Sequence, residues 1–327
     1  MKALRCKQFG PPETLVYEEV DTPAVGVDQV LIDMRAAAVN FPDSLIIEDK
    51  YQLKPELPFS PGGELAGTVA AVGENVTHVK PGDDVIAFTG YGAFAAQVVA
   101  RADQVMPKPT GLDYVTASAC VMTYGTSYHA LVDRAGLLSG ETLLVLGASG
   151  GVGLAAIEIG KALGAHVIAA ASSEAKLAIC REHGADETID YTQTDLKNSL
   201  KELTGGAGVD VVYDPVGGAA TEAALRGTAW RGRLLVIGFA SGDIPKPPLN
   251  LALLKGASII GVFWGSFVQR EPEANERQLQ TVFKWIRDGR LRPHIGGVYP
   301  LARGGEAIAA LANRQVSGKL VITNGAD

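Results

Sequence analysis

The sequence predicts an α/β protein: a doubly wound parallel sheet joined to a second, mostly β domain. Three observations predict it. Residues 143–153 read Leu-Leu-Val-Leu-Gly-Ala-Ser-Gly-Gly-Val-Gly, an apolar strand running into a glycine turn that opens a helix. Beyond that turn, short strand-like and helix-like segments alternate, as βαβ units do. Before it, residues 1–100 carry short β-rich runs punctuated by Gly and Pro.

In chain order, the first runs are Gln29–Ala37, Leu65–Val72 and Asp84–Ala87, with Pro61-Gly62-Gly63 and Pro81-Gly82-Asp83 as turns. After the glycine turn, Leu154–Leu163 reads as a helix ended by Gly164-Ala165, and His166–Ala171 as a short buried strand. A helix over Glu174–Glu182 closes at His183-Gly184. Further strands are predicted at Glu187–Tyr191, Val209–Asp214, Arg233–Gly238 and Ser258–Phe263. Residues 273–288 predict an amphipathic helix, and Lys319-Leu320-Val321-Ile322 a last strand that returns to the first domain. The expected division is therefore 1–121 with 264–327 for the β-rich domain, and 122–263 for the doubly wound one.

The glycine turn suits a dinucleotide. Unpaired amides in the first helical turn and the positive helix end both favour a pyrophosphate. Gly150 lets the main chain approach the phosphates, and Gly153 lets the helix pack on the strand. Ala148 stands where the first glycine of G-x-G-x-x-G usually falls, so Ala148, Ser149, Gly150, Gly151, Val152 and Gly153 form an imperfect but well-placed Rossmann-type loop.

Cofactor choice is read at the end of the second strand. An NAD site usually places Asp or Glu there to hold the ribose hydroxyls. This chain has Ala171-Ser172-Ser173, with Lys176 one turn on and Tyr191 ending the third strand. Two hydroxyls, an ammonium and a phenol suit a 2′-phosphate, which points to NADPH; charge-assisted bonds contribute about 1.5–3 kcal/mol each. The plainer reading, compatible with the first, is that the serines cap a helix and Lys176 is solvated.

Composition narrows the class. At 327 residues the chain is long enough for two domains; 47% of residues are hydrophobic, 20% charged, and the net charge is −7. No apolar run suits a membrane span, no basic cluster suits nucleic acid, and the amino terminus does not read as a secretion signal. Cys6, Cys120 and Cys180 have no metal-ligand spacing and suggest buried thiols in a reducing cytoplasm.

These segments together resemble the medium-chain dehydrogenase/reductase superfamily, and within it the zinc-free NADPH:quinone oxidoreductase (zeta-crystallin-like) branch. The resemblance covers essentially the whole chain. It rests on Ala38-Val39-Asn40-Phe41-Pro42-Asp43, Pro61–Gly67, Val79–Val85, and Gly140–Lys161 around the glycine loop. The chain departs at Glu158, where the branch signature usually has Gln. The resemblance implies a GroES-like fold for the discontinuous β domain.

Zinc members of the superfamily need soft or imidazole ligands. The corresponding positions here hold Asn40, Gly63 and Met122, the four-cysteine lobe is missing, and the five histidines are scattered, so no metal is expected. Without a Lewis acid, hydride addition to a quinone or conjugated carbonyl fits better than alcohol oxidation. Tyr51 and Asn40 are the candidate catalytic residues. Tyr51 would donate to a developing oxyanion or seal the site with its ring. Asn40 would contact the nicotinamide ribose or amide, or merely bond its own backbone. Asp43 reads as a structural cap rather than an acid catalyst, and Tyr124 as a second phenol candidate or, more plainly, a cleft-lining aromatic. Further cofactor contacts implied by the resemblance are Thr126, Val216, Gly238, Phe239, Ala240, Phe263, Trp264 and Arg314. Arg314 is equally well a surface cation, and Phe263-Trp264 equally well core or subunit interface. The family analogy also implies a homodimer. Competing readings are an enoyl-thioester reductase and an NADPH-binding, crystallin-like protein without turnover.

Overall fold

A computed structural model describes residues 1–325, which divide into two units: Met1–Met122 with the chain from Ile295, and Thr123–His294. The strands of the first stretch are β1 (Lys2–Arg5), β2 (Val16–Glu19), β3 (Gln29–Val39), β4 (Glu64–Val72), β5 (Asp84–Phe88), β6 (Gln97–Arg101) and β7 (Val105–Pro107). The second unit holds β8 (Thr142–Leu146), β9 (His166–Ala171), β10 (Glu187–Asp190), β11 (Val209–Asp214), β12 (Thr228–Val236) and β13 (Ser258–Gly261). The chain then returns for β14 (Ile295–Pro300) and β15 (Lys319–Thr323). The α-helices begin with α1 (Phe41–Ile46), α2 (Tyr114–Ser118), α3 (Val121–Tyr128), α4 (Gly151–Ala162), α5 (Glu174–Glu182) and α6 (Leu196–Leu203). They continue with α7 (Ala219–Arg226), α8 (Asn250–Lys255), α9 (Trp264–Arg270), α10 (Pro272–Arg287) and α11 (Gly304–Ala312).

The second unit is the parallel, doubly wound sheet that the sequence predicts, with strand order β10-β9-β8-β11-β12-β13. Its central strands are apolar on both faces because helices cover both: Leu143, Leu144, Val145 and Leu146 are all fully buried. The order turns back at β8, which lies between β9 and β11. In sheets of this kind the carboxyl end at such a reversal is where ligands gather. β12 starts at Thr228, earlier than the expected Arg233. Its extra residues are an irregular lead-in, since the register with β11 shifts between Val209 and Val211 and Arg231 has φ +63°. The helix over Gly151–Ala162 starts three residues before the expected Leu154, because the glycine turn itself enters helical geometry.

In the first unit, β14, β15, β3, β4, β5 and β7 pair in that order, with β6 also on β3. The tail strand returns as expected: β15 runs antiparallel to β3, with Leu320 opposite Val39. Its core gathers Ile32, Met34, Leu65, Val85, Phe94 and Ile322.

The second division point differs from the sequence-based expectation. It falls at 294/295 rather than 263/264, because α9 and α10 pack onto the doubly wound unit. Phe267 stacks on His129 with ring centroids 4.0 Å apart, and Trp285 packs on Tyr128 at 5.6 Å. The Arg290 guanidinium donates to the Ala162 carbonyl at 2.7 Å. None of these pairings has a periodic signature, so the sequence pattern could not assign the segment.

Candidate functional site

The glycine loop of the second unit is built as a close approach of helix to strand. Gly147 leaves β8 at φ +56°, a conformation that favours glycine. Ala148 donates its N–H to the Ala170 carbonyl, and Gly150 donates back to Gly147, which turns the chain into α4. A Cβ at Gly153 would lie 2.6 Å from the carbonyl oxygens of Gly147 and Ala148, so no larger residue fits. Ala148 and Ser149 are buried, while Gly150, Gly151 and Val152 are partly exposed. The first turn of α4 therefore offers backbone N–H groups without helical partners at an accessible edge.

Residues outside the sequence-based candidates hold this turn. Ser127 Oγ donates to the Val152 carbonyl at 3.0 Å and shares a hydrogen with Tyr213 Oη at 2.9 Å. Asp214, at the end of β11, accepts the N–H groups of Val216 and Gly217 and the Thr221 hydroxyl. That fixes the turn carrying Val216. The loop carrying Gly238, Phe239 and Ala240 is then zipped to it: Ala240 donates to Pro215 and Ser241 to Val216. No local sequence pattern flags Asp214 or Ser127; only the fold brings them there.

At the end of β9 the capping reading of the serines is seen directly for Ser173. Ser173 caps α5, its hydroxyl accepting the Lys176 N–H at 3.4 Å. Lys176 Nζ reaches Ser172 Oγ at 3.3 Å, so the ammonium meets one hydroxyl while the backbone of the same residue meets the other. Tyr191 is tied to the same strand through its N–H to the Ala171 carbonyl, and its side chain is exposed. The neighbouring acid, Glu174, is turned to Arg181 at 2.6 Å. Phe263 and Trp264 part company. Phe263 is exposed, whereas Trp264 is buried and its indole fills the space a Cβ would need at Gly125, which places Trp264 in the core. Thr126 is buried on α3, and Tyr124 is buried too rather than lining a surface. Arg314 stands at φ +57° just past α11 of the first unit.

The first unit holds a second polar cluster, around Asn40. The Asn40 backbone donates to Asp43 Oδ2 at 2.7 Å, and Gly62 donates to Asp43 Oδ1, so Asp43 is the structural cap expected of it. The Asn40 side chain donates to the Ala38 carbonyl and to Glu64 Oε1, and accepts from Lys319 Nζ at 2.5 Å. Lys319 also donates to the Val39 carbonyl and to Glu64 Oε1 at 3.1 Å, and Glu64 Oε2 accepts the Met122 N–H. Both hydrogens of the Asn40 amide are thus committed, and one oxygen lone pair is what remains. Complete burial pushes the Asp43 carboxyl up to about 7, with the Glu64 charge adding to the shift and the two N–H groups and Lys319 opposing it. Burial, and then the Asp43 charge, push the Tyr51 phenol above its ordinary value. Tyr51 is half-buried against the unit's core. Among the described residues, no group of three or more His, Cys, Asp or Glu is arranged to hold a metal. Among the same residues, no helix is long and apolar enough to cross a membrane.

Comparison with known proteins agrees with this geometry. Residues 151–281 match the family described as zinc-binding dehydrogenase, and residues 26–110 match the alcohol dehydrogenase GroES-like domain. The chain is 36% identical over 324 residues to a quinone oxidoreductase-like protein 2 homolog of Nematostella vectensis, covering 98% of this chain and 88% of that one. A probable oxidoreductase from Mycobacterium abscessus superposes with a TM-score of 0.90 at 39% identity, covering 99% of each chain. Escherichia coli quinone oxidoreductase complexed with NADPH superposes with a TM-score of 0.92 at 28% identity, covering 99% of this chain and 100% of that one.

The raised Asp43 carboxyl sets a pH dependence. A carboxyl whose folded pKa lies above its unfolded value stabilises the fold below the unfolded pKa, and loses that contribution as pH rises through the folded one. Stability measured by urea melts should therefore decline from about pH 4 to about pH 7 through this group. Asp43→Asn should flatten that slope; parallel wild-type and variant profiles would show that Asp43 does not carry it.

Proposed function

The chain belongs to the medium-chain dehydrogenase/reductase superfamily, in its quinone oxidoreductase branch, and from that premise we propose that it is an NADPH-dependent, zinc-independent reductase of quinones or related α,β-unsaturated carbonyls. The observation that carries the cofactor choice is the Ser172–Ser173–Lys176 segment at the end of β9, where the two positions after the strand are serines rather than an acid and the nearby Glu174 is paired with Arg181.

NADPH fits the residues present. The first turn of α4 would bind the pyrophosphate, Lys176 and the two serines the 2′-phosphate, and the zipped loops at Val216 and Gly238–Ala240 the carboxamide end. When bound, the cofactor supplies a hydride. The chain's own part is to orient it and to stabilise the charge that develops on the acceptor oxygen. Tyr51 is the proposed donor, since a phenol whose pKa is raised keeps its hydrogen at neutral pH. Asn40 is proposed as an acceptor for a cofactor hydroxyl or amide hydrogen, because its own N–H groups are already spent.

A catalytic zinc does not fit. At the three positions where the zinc enzymes carry ligands, the Asn40 oxygen faces the Lys319 ammonium, Gly63 has no side chain, and Met122 offers only a thioether. A fixed positive charge next to the would-be metal position opposes a second cation.

The proposed partner is a second copy of the chain. β13 is an edge strand of the six-stranded sheet, with its unpaired backbone groups open to pairing. Beside it in the sequence, α8 exposes Leu253 and Leu254 by 79% and 69%, and Trp230 and Ile244 are exposed as well. Three buried free thiols and the absence of any paired cysteine among the described residues support a cytoplasmic setting.

Three measurements test these proposals. Lys176→Glu should raise the Michaelis constant for NADPH at least tenfold, with that for NADH changed far less (about 1.4 kcal/mol per factor of ten); equal changes would remove Lys176 from the 2′-phosphate. Oxidation of NADPH should proceed with a small naphthoquinone, undiminished by EDTA, and faster than with crotonyl-CoA. Preference for crotonyl-CoA would favour the thioester reading, and loss of turnover in EDTA would end zinc independence. Sedimentation should give twice the 34.1 kDa chain mass, and Leu253→Asp should give the single chain. A monomeric wild type would refute the dimer.

A further inference from the structure

Behind the glycine loop the second unit buries a charged group for which the proposed chemistry has no use. Glu158 lies on α4, the helix that opens with Gly151 and Gly153, and its side chain is 4% exposed. One oxygen, Oε2, accepts the Tyr124 hydroxyl at 2.7 Å and the Arg292 N–H at 2.9 Å. The other, Oε1, faces His183 Nδ1 at 2.6 Å. His183 in turn meets the edge of His294, with ring centroids 5.4 Å apart. One carboxylate therefore joins four stretches of the unit: its own helix, the beginning of α3, the end of α5, and the last residues of the unit before 295.

We propose that Glu158 is a positioning residue for the cofactor site. It locks the α3 turn that carries Thr126 to the helix that carries the phosphate loop. Tyr124 precedes Thr126 by two residues on α3, so the Tyr124–Glu158 bond fixes that turn's rotation and height against α4. The inference rests on the reading of Thr126 as a nicotinamide contact under the function proposed above.

The donor and acceptor pattern makes the assignment specific to a carboxylate. An ionised Glu only accepts, so His183 must carry its hydrogen on Nδ1. The Gln usual at this place in the branch behaves differently. Its single oxygen would have to serve the Arg292 N–H and the Tyr124 hydroxyl, since a backbone N–H can only donate. Its NH2 would then point at His183, which would have to present a bare Nδ1 and hold its hydrogen on Nε2. Glu158 and His183 are thus matched to each other, and each fixes the state of the other.

Two readouts test this. The first is the imidazole 15N spectrum at neutral pH: His183 Nδ1 should be protonated in the wild type and unprotonated in Glu158→Gln. Identical ring-nitrogen spectra would overturn the pairing. The second is fluorescence-monitored binding of NADPH beside adenosine 2′,5′-bisphosphate, which lacks the nicotinamide end. Glu158→Ala should weaken NADPH about tenfold and Tyr124→Phe about threefold, with Glu158→Gln within twofold and the bisphosphate unchanged in all three. Tyr124→Phe keeps the test open if the alanine variant does not fold. Unaltered NADPH affinity in the variants would overturn the inference, and so would equal weakening of both ligands, which marks a merely structural role. Failure of the wild type to bind either ligand would instead overturn the cofactor reading, and this inference with it.

Discussion

The buried ammonium of Lys319 is the contact on which the first unit closes. It lies on the last strand, yet its three hydrogens go to the Val39 carbonyl, the Asn40 amide oxygen and Glu64 Oε1. With the Met122 N–H on the other oxygen of Glu64, segments near residues 40, 64, 122 and 319 meet around one ion pair. Lys319 is 6% exposed and Glu64 is fully buried, so neither charge has water to fall back on. Removing one partner of such a pair typically costs about 3–5 kcal/mol, because the other is left buried and uncompensated. The pair's chief effect on the site is geometric. It commits the Asn40 amide to one orientation and takes away its capacity to donate.

The second unit is organised by a different economy, in which backbone atoms do most of the positioning. The loop at 147–153 contributes amides, and a Cβ at Gly153 would collide with two carbonyls of the preceding turn. Side chains act from behind. Ser127 and Tyr213 hold the first turn of α4, and Asp214 gathers two amides and a hydroxyl to shape the turn at Val216. All are on segments already rigid through sheet or helix pairing. A turn built this way would present its free amides to the proposed pyrophosphate before any ligand arrives, which would lower the ordering cost of binding.

Much of this was legible in the residues. Strand-turn-helix patterning gave the parallel sheet, and the apolar tail Leu320-Val321-Ile322 gave the returning strand. The glycine loop could be read because its physics is local: a few small residues between a strand and a helix. The Ser173 cap at the end of β9 could be read for the same reason. What escaped was non-local. Nothing in the run Lys319-Leu320-Val321-Ile322 says that its lysine is buried, although a charge beside an inward-facing strand is a hint. Likewise α9 and α10 have an ordinary amphipathic pattern, and only the pairing of Phe267 with His129 and of Trp285 with Tyr128 settles where they pack. The Phe263-Trp264 pair shows the limit within two adjacent residues. Composition makes them equivalent, whereas the close approach of α3 at Gly125 buries one and leaves the other exposed.

Under the proposed reduction, the electrostatics around Asp43 bear on how a site without a metal would answer the charge that hydride transfer creates. Asp43 gives its two oxygens to backbone amides and titrates near neutrality because it is buried. When it is ionised, its charge holds the Tyr51 hydrogen more tightly. That disfavours a phenolate and favours a phenol that donates a hydrogen bond without giving up its proton. A donor of this kind stabilises an oxyanion without competing for it as a base, and it is most useful where the charge is already spread over a conjugated system. An isolated alkoxide would need a stronger partner, such as a metal or a cation with a free hydrogen. Lys319 cannot fill that role because its hydrogens are spent on Val39, Asn40 and Glu64. With Lys319 committed to the ion pair that closes the first unit, the proposed acceptors that delocalise their charge, quinones and enones, would suit this chain better than alcohols or simple ketones.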